Sequence, residues 1–509
     1  MSSAATTTQR WLQTTAAAAV RTSLVSTLPC DSRRHAHVAS STIATKSRPL
    51  VVAGNVAPNG LSGQSKKKTL VLLGTGWGST TVLKSLDTQN YNVVVVSPRN
   101  YFLFTPLLPS CTVGTTESRS IMEPIRHIVG RRGKDVRFYE AQVTDIDVNG
   151  KELVLEQNAD ASNTHSPGTR TRINYDYLVV GVGGTYNTFG TPGVEKYACF
   201  LKEMGDVSKI RRRLKDAIEK ASFANISEAE RNRLLHMVVV GGGPTGVEFA
   251  GELHDLISED LSRWVPELAS KIRITLIEAL PNVLPSFDHK LVDYTQRMFK
   301  QTGIELLTGT AVKEIGAKTL TVRNSSTGTE AELPYGTVVW AAGICARQFA
   351  HTLRSKVPSV QTSARGLIID EFLRVQGTKD IWALGDCTVS KNAPLAQVAS
   401  QQGKWLSKAF NRMAKDGGGG IATDDGFSQM GAATKPFKYS SNGSLAYIGG
   451  EKAIAELPFL NKTITMSGPL TSVFWKAYCL WELSSVRSSL SVATDWGKRA
   501  LFGRTISVD

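Results

Sequence analysis

The stretch Thr69-Leu70-Val71-Leu72-Leu73-Gly74-Thr75-Gly76-Trp77-Gly78-Ser79 decides how this chain is read. Its apolar run fits a strand buried on both faces, and Gly74-x-Gly76-x-x-Ser79 fits the turn from that strand into a helix. The first glycine allows the tight turn. The second lets the backbone approach a pyrophosphate, and the helix N-terminus supplies a positive field. Ser79 is small enough for the third position, where helix and strand pack closely. A second copy follows far downstream. His236-Met237-Val238-Val239-Val240 leads into Gly241-Gly242-Gly243-Pro244-Thr245-Gly246, with Gly241, Gly243 and Gly246 completing the pattern. One such loop is a weak signal. Two, each after a strand and opening a helix, imply two dinucleotides on one chain, which is what passing electrons from a nicotinamide to a flavin requires.

The strands that follow each loop differ. After Asn92–Val96 comes Ser97-Pro98-Arg99-Asn100, with no acid where one often binds ribose. Ser97 can hydrogen-bond a ribose, and Arg99 suits the adenosine phosphate side. After 272–277 comes Glu278, an acid that can hold both adenosine ribose hydroxyls and repel a 2′-phosphate, which favours NADH over NADPH. The alternative for Glu278 is an ordinary acid at a strand end. The run 338–343 is read as a last strand and turn, with Gly343 near the nicotinamide and Glu248 approaching the same ring from the helix; a merely exposed Glu248 is the alternative. Tyr175–Val182 reads as another strand ending in Gly183-Gly184. Lys379 to Asp386 reads as a short strand with a terminal acid, placed to accept a hydrogen bond from a ribityl hydroxyl. Asp386 lies so far from Gly74 that one nucleotide domain must be interrupted by another.

The fold class expected is α/β: two Rossmann-like dinucleotide-binding domains plus a C-terminal amphipathic membrane-anchoring region. A length of 509 residues demands more than one core. The expected division is 1–65 as a mitochondrial transit peptide and linker, 66–235 and 346–435 as the two parts of a flavin domain, 236–345 as a nicotinamide domain, and 436–509 as a membrane-associating and dimerisation region. Residues 1–65 are rich in Ser, Thr and Ala, and carry arginines and lysines against one acid, Asp31. The net charge of +15 is spread in short clusters rather than one long tract, so no nucleic acid partner is expected. The 6 cysteines stand singly with no CxxC, which excludes a dithiol redox pair, a cysteine-rich zinc site and common iron–sulfur spacings; no metal site is expected. No apolar stretch is long enough to span a membrane.

In the C-terminal third, Gln397 and Gln401 are four apart and share a helix face. Their amides can donate to a quinone carbonyl; capping or surface glutamines are the alternative. Residues 411–434 read as a loop without an EF-hand pattern, so calcium control is not indicated. Leu470, Val473, Phe474, Ala477, Tyr478 and Trp481 recur with helical period, Trp475 stands at a flank, and Lys476, Arg487, Lys498, Arg499 and Arg504 add positive charge. A basic, Trp-rich helix pair of this kind suits an anionic membrane surface, with a covered core or a dimer as alternatives.

Together these motifs resemble the type II (alternative, rotenone-insensitive) mitochondrial NADH:ubiquinone oxidoreductases of fungi, over about residues 68–509. The stretches that carry the likeness are Gly74–Ser79, Ser97–Ser110, Gly241–Glu252, Glu278–Phe287, Trp382–Thr388, Ala396–Gln402 and the aromatic tail. The resemblance implies non-covalent FAD, NADH and ubiquinone as substrates, no proton pumping, peripheral attachment to the inner membrane, and often a homodimer. It implies that Gly74, Gly76, Ser79 and Asp386 hold FAD, that Gly241, Gly243, Gly246, Glu248 and Glu278 face NADH, and that Gln397 and Gln401 lie between flavin and quinone. The lack of a spanning stretch after the presequence points to the matrix side. The competing readings are a soluble NADH-dependent flavoprotein reductase and a redox-signalling or cell-death flavoprotein with little quinone turnover. The missing CxxC and the tail oppose the first; the glutamine pair and the tail oppose the second.

Overall fold

The computed structural model describes residues 67–132, 136–157, 170–416, 435–459 and 462–506. The expected transit peptide lies outside the described residues. Thr69–Leu73 is an inner strand of a seven-stranded sheet, flanked in parallel by Asn92–Ser97 and Tyr177–Val180. Val136–Asp147 and Ile381–Ala383 extend it on either side, also in parallel. Leu70, Val71, Leu72 and Leu73 are wholly buried, because helices cover both faces of such a sheet. Each strand of this parallel core ends at the same edge, so Gly74, Ser97, Gly181 and Asp386 meet there although the chain separates them widely.

The chain leaves this sheet after Val180 and rejoins it at Ile381. Between those points it builds a five-stranded parallel sheet in the order Cys199–Phe200, Thr337–Trp340, His236–Val240, Arg273–Ile277 and Ile304–Leu307. All five residues of His236–Val240 are buried. The edge strand Cys199–Phe200 lies upstream of position 236, so this sheet begins earlier than the expected boundary. Two residues carry no periodicity that a sequence reading could use. The outgoing and returning connections run side by side as an antiparallel pair, Gly184–Tyr186 with Ile344–Ala346.

Beyond the second nucleotide domain come the helix Ala396–Asp416, a three-stranded antiparallel sheet (Ser444–Gly449, Lys452–Phe459, Lys462–Gly468) and two helices, Pro469–Glu482 and Val486–Phe502. The helix Ala396–Asp416 occupies the first part of the stretch expected to be a loop; 417–434 lie outside the described residues. The helix Pro244–Asp255 packs on Ser444–Gly449 at backbone distance. A Cβ built on Gly251 would lie 2.6 Å from the Gly449 nitrogen, so both positions need glycine.

The two final helices bury mixed polar and apolar faces and turn largely apolar ones outward. Thr471, Ser472, Ser488 and Asp495 face inward, whereas Leu470 is 82 % exposed, Trp481 85 % and Phe502 82 %. Trp475, expected at a flank, is instead buried, with its ring 5.4 Å from Tyr447 and 6.4 Å from Trp496. Three of the tail's expected surface cations also turn inward. Lys476 pairs with Glu451, Arg499 with Glu259 and Glu451, and Arg504 is buried against Asp260 and Glu259. The outward surface is largely apolar, with Arg487 and Lys498 exposed on it, rather than strongly basic.

Candidate active site

A cavity of about 920 Å³ is walled by both glycine loops. The helix Trp77–Ser85 starts from Gly76 and the helix Pro244–Asp255 from Gly243, and neither start has a side-chain cap. The first-turn N–H groups of both helices are therefore left for a ligand, and each end favours an anion. A Cβ built at Gly76, Gly183 or Gly243 meets no atom within 4 Å, and all three line the cavity. Gly183 has φ +69°, which itself favours glycine, but at Gly76 and Gly243 the protein leaves room for a side chain, and the reason to keep glycine there is the close approach of something bound. This cradle, with two anion-favouring helix ends, fits two pyrophosphates.

The remaining glycines answer to the protein's own backbone. Gly74 has φ +91° and Gly241 φ +113°, a region that disfavours any side chain. A Cβ at Gly246 would sit 1.9 Å from the Gly241 carbonyl oxygen. Ser79, at the matching place in the first loop, is buried and donates its hydroxyl to the Leu73 carbonyl at 2.9 Å. The turn after Trp340 brings Gly343 (φ +71°) to the cavity, where a Cβ would meet the Phe189 ring at 2.5 Å.

At the ends of the second strands the two sites diverge. The buried Ser97 hydroxyl lies 3.2 Å from that of Thr75 and accepts from the Arg99 N–H at 3.1 Å. The Arg99 guanidinium is held by Glu203 at 2.9 Å, and Glu203 holds Arg347 with its other oxygen at 2.5 Å. Glu278 accepts from the Gly242 N–H and from the Leu280 N–H, so its carboxylate already rests against the second loop. Asp386 lines the cavity beside the first loop, directly after Gly385. The Gly385 N–H donates to the side chain of the buried Gln402 at 2.8 Å, which fixes this turn from behind.

Three sequence-derived candidates sit elsewhere. Glu248 does not line the cavity; it is buried against the C-terminal sheet, where its Oε1 accepts from the Tyr447 N–H at 3.3 Å. Burial raises its pKa to about 8, the neighbouring Glu252 adding to the effect. Gln397 and Gln401 do share a helix face, but their amides are engaged. Gln397 donates to the Gly443 carbonyl at 2.8 Å and accepts from the Asn442 N–H at 3.2 Å. Gln401 donates to the Ser440 carbonyl at 2.7 Å and accepts the Ser440 N–H at 3.0 Å. Instead of open donors, the pair forms a clamp on 439–443. Sequence reasoning passed over Gln402, Lys202 and Glu203. Nothing in their local pattern marks them; burial and distant partners do.

The described cysteines offer no dithiol. Among the described residues all of them are free thiols, and Cys111, Cys199, Cys387 and Cys479 are buried. Burial pushes the Cys387 thiol up to about 12, with Asp386 beside it, so it stays protonated. Cys345, partly exposed, donates to the Tyr186 carbonyl at 3.1 Å.

Residues 68–403 match the family described as "Pyridine nucleotide-disulphide oxidoreductase", and residues 442–505 match the "NDH2 C-terminal domain". The chain is 46% identical over 478 residues to the "External alternative NADH-ubiquinone oxidoreductase, mitochondrial" of Yarrowia lipolytica, covering 88% of this chain and 82% of that protein. It belongs to the alternative mitochondrial NADH-ubiquinone oxidoreductase family. A relative in Saccharomyces cerevisiae, "External NADH-ubiquinone oxidoreductase 2, mitochondrial", is 42% identical, covering 87% of this chain and 83% of that one. Among solved structures, NDH2 from Plasmodium falciparum in complex with NADH superimposes with a TM-score of 0.79 at 28% identity, covering 87% of this chain and 100% of that chain. A sulfide:quinone oxidoreductase from Aquifex aeolicus shares the fold alone, at 18% identity and a TM-score of 0.62. Within this family the chain keeps both nucleotide loops and carries no CxxC motif.

Proposed function

We propose that the cavity joins FAD on the first glycine loop to NADH on the second, and that the protein works at the mitochondrial inner membrane as a non-proton-pumping NADH:ubiquinone oxidoreductase. The observation that carries this reading is the shared cavity: two uncapped helix starts and three open glycines face one space. FAD, when bound, supplies the hydride acceptor and the two-electron donor for ubiquinone. The chain's own residues bind and orient. Gly74 and Gly76 turn the first loop under the pyrophosphate, Ser79 ties its helix to the strand, and Asp386 takes a ribityl hydroxyl. Gly241, Gly243 and Gly246 do the same for NADH, Glu278 takes the adenosine ribose, and Gly343 leaves room beside the nicotinamide. The FAD is held without a covalent bond.

Gln397 and Gln401 act on the quinone side by holding 439–443 in place rather than by donating directly. The outward apolar face of the two final helices lies on the membrane. No helix among the described residues is long and apolar enough to cross one, so this contact is peripheral. The same region is the place to seek the homodimer. Relatives in Yarrowia and Saccharomyces are named external, which favours the intermembrane-space side over the matrix side expected from the sequence.

The test is spectroscopic. Purified protein should release FAD on acid denaturation; NADH should bleach the flavin and ubiquinone should restore its colour. A chain that carries no flavin after gentle purification refutes the reading. Protease added to mitochondria with a ruptured outer membrane should cut the protein; protection until the inner membrane is broken would return it to the matrix side.

A further inference from the structure

Lys202 follows the edge strand Cys199–Phe200 and belongs to the second nucleotide domain, yet its side chain enters the cavity and reaches toward the first. The backbone there is firmly held: the Asp206 carboxylate accepts the N–H groups of both Lys202 and Glu203, each at 2.9 Å. From this fixed point Lys202 Nζ lies 3.8 Å from Asp386 Oδ2. The separation is long for an ion pair. The neighbouring acid, Glu203, has both oxygens committed to Arg99 and Arg347. Lys202 is therefore a partly buried ammonium, its side chain 27% exposed, with one loose partner. Burial lowers its pKa, opposed by Asp386 and Glu203 and assisted by Arg347, with Cys345 also nearby. A cation fixed in the cavity wall without a close partner points to a task beyond stability.

The task follows from what approaches Asp386. On the reading above, on which this inference rests, the Asp386 carboxylate turns to a ribityl hydroxyl when FAD binds, and the ammonium is left beside the isoalloxazine. Hydride transfer from NADH adds two electrons and one proton to a neutral flavin, so NAD⁺ departs and one negative charge stays on the flavin. A fixed cation near that charge stabilises the reduced form and raises the reduction potential. We propose that Lys202, carried by the NADH-binding domain, is the cation that sets the potential of the FAD held by the other domain. The bland alternative is an inter-domain ion pair between Lys202 and Asp386 that contributes only to folding.

The experiment is a dye-equilibration measurement of the two-electron flavin potential in the full-length, FAD-saturated protein. Lys202→Met should lower the reduction equilibrium constant tenfold or more, equal to about 30 mV for a two-electron couple. Lys202→Arg should stay within roughly threefold of the native value, since it restores charge. Lys202→Gln serves as the neutral variant if the methionine variant fails to fold. A neutral variant that binds FAD, even weakly, and shows the native potential when saturated overturns the proposal in favour of the ion pair. The native protein separates the two readings: if it holds no flavin, the FAD assignment has failed, whereas a flavin whose potential ignores Lys202 defeats only this inference.

Discussion

Where the first glycine loop keeps Ser79 against the strand it has left, the second keeps Gly246, and the cause lies in what stands behind each. Gly181 crosses behind Ser79: a Cβ on Gly181 would lie 2.1 Å from the Ser79 hydroxyl, so a missing side chain on one element makes room for a side chain on the other. Behind Gly246 is the Gly241 carbonyl itself. The acids differ in the same way. Glu278 sits on the strand next to its own loop. At the first loop Ser97 is neutral, and Asp386 is brought in by a segment beyond the whole inserted domain and braced there by Gln402. The second loop thus finds its acid within its own strand–helix–strand unit, whereas the first loop's acid arrives only once distant parts of the chain have assembled.

That contrast can be broken most violently at Gly246. Gly246→Ala drives a methyl into backbone that cannot yield and should cost about 3 kcal/mol or more, seen as a lower urea midpoint and lost NADH binding. Ser79→Gly, the change at the matching position, loses one hydrogen bond and should cost about 1 kcal/mol. Equal costs would mean that the two loops are packed alike after all.

The second loop's helix also carries a buried acid, Glu248, which the first loop's helix has no counterpart for. Burial lifts its pKa from 4.5 to about 8, so the folded state holds a proton that the unfolded state releases. The stability this contributes is complete below pH 4.5 and is lost as pH rises through about 8. Between pH 6 and 9 the native protein should therefore lose about 2.5 kcal/mol relative to Glu248→Gln. Parallel stability–pH curves for the two proteins would show that Glu248 titrates normally.

Asp386→Ala sharpens the comparison at the imported acid. Loss of one charged hydrogen-bond acceptor should weaken FAD retention by about 2 kcal/mol, roughly thirtyfold, with NADH affinity unchanged. Flavin dissociation followed by fluorescence measures it, and native retention would remove Asp386 from the site. A smaller effect than that at Asp386 belongs to the local acid. Glu278→Ser should narrow the NADH to NADPH ratio of kcat/KM roughly tenfold, equal to about 1.4 kcal/mol. A ratio that does not move places the discrimination elsewhere.

Much of this was legible from pattern alone. Both loops, their strands, the interrupted domain and the helical tail could be read, because a strand buried on both faces must be a continuous apolar run and a tight turn must use glycine. The limits were just as physical. The strand Cys199–Phe200 is too short to have a period. The tail's apolar positions recur with helical spacing, but spacing did not show that Trp475 turns inward or that Lys476, Arg499 and Arg504 are drawn into ion pairs. Gln397 and Gln401 offered the right amides, and only the folded path of 439–443 showed them occupied.

What the sequence determined by itself is therefore everything set within a few residues: loop, turn, helix start, and the acid at the end of an adjacent strand. These depend on backbone geometry and on burial that recurs along the chain. The tertiary structure alone decided which distant groups meet: Gln402 behind Gly385, Lys202 beside Asp386, Arg504 against Asp260, Glu248 beneath Tyr447. Each of these contacts joins separate elements, and a partner supplied by long-range folding leaves no periodic trace in either stretch it connects.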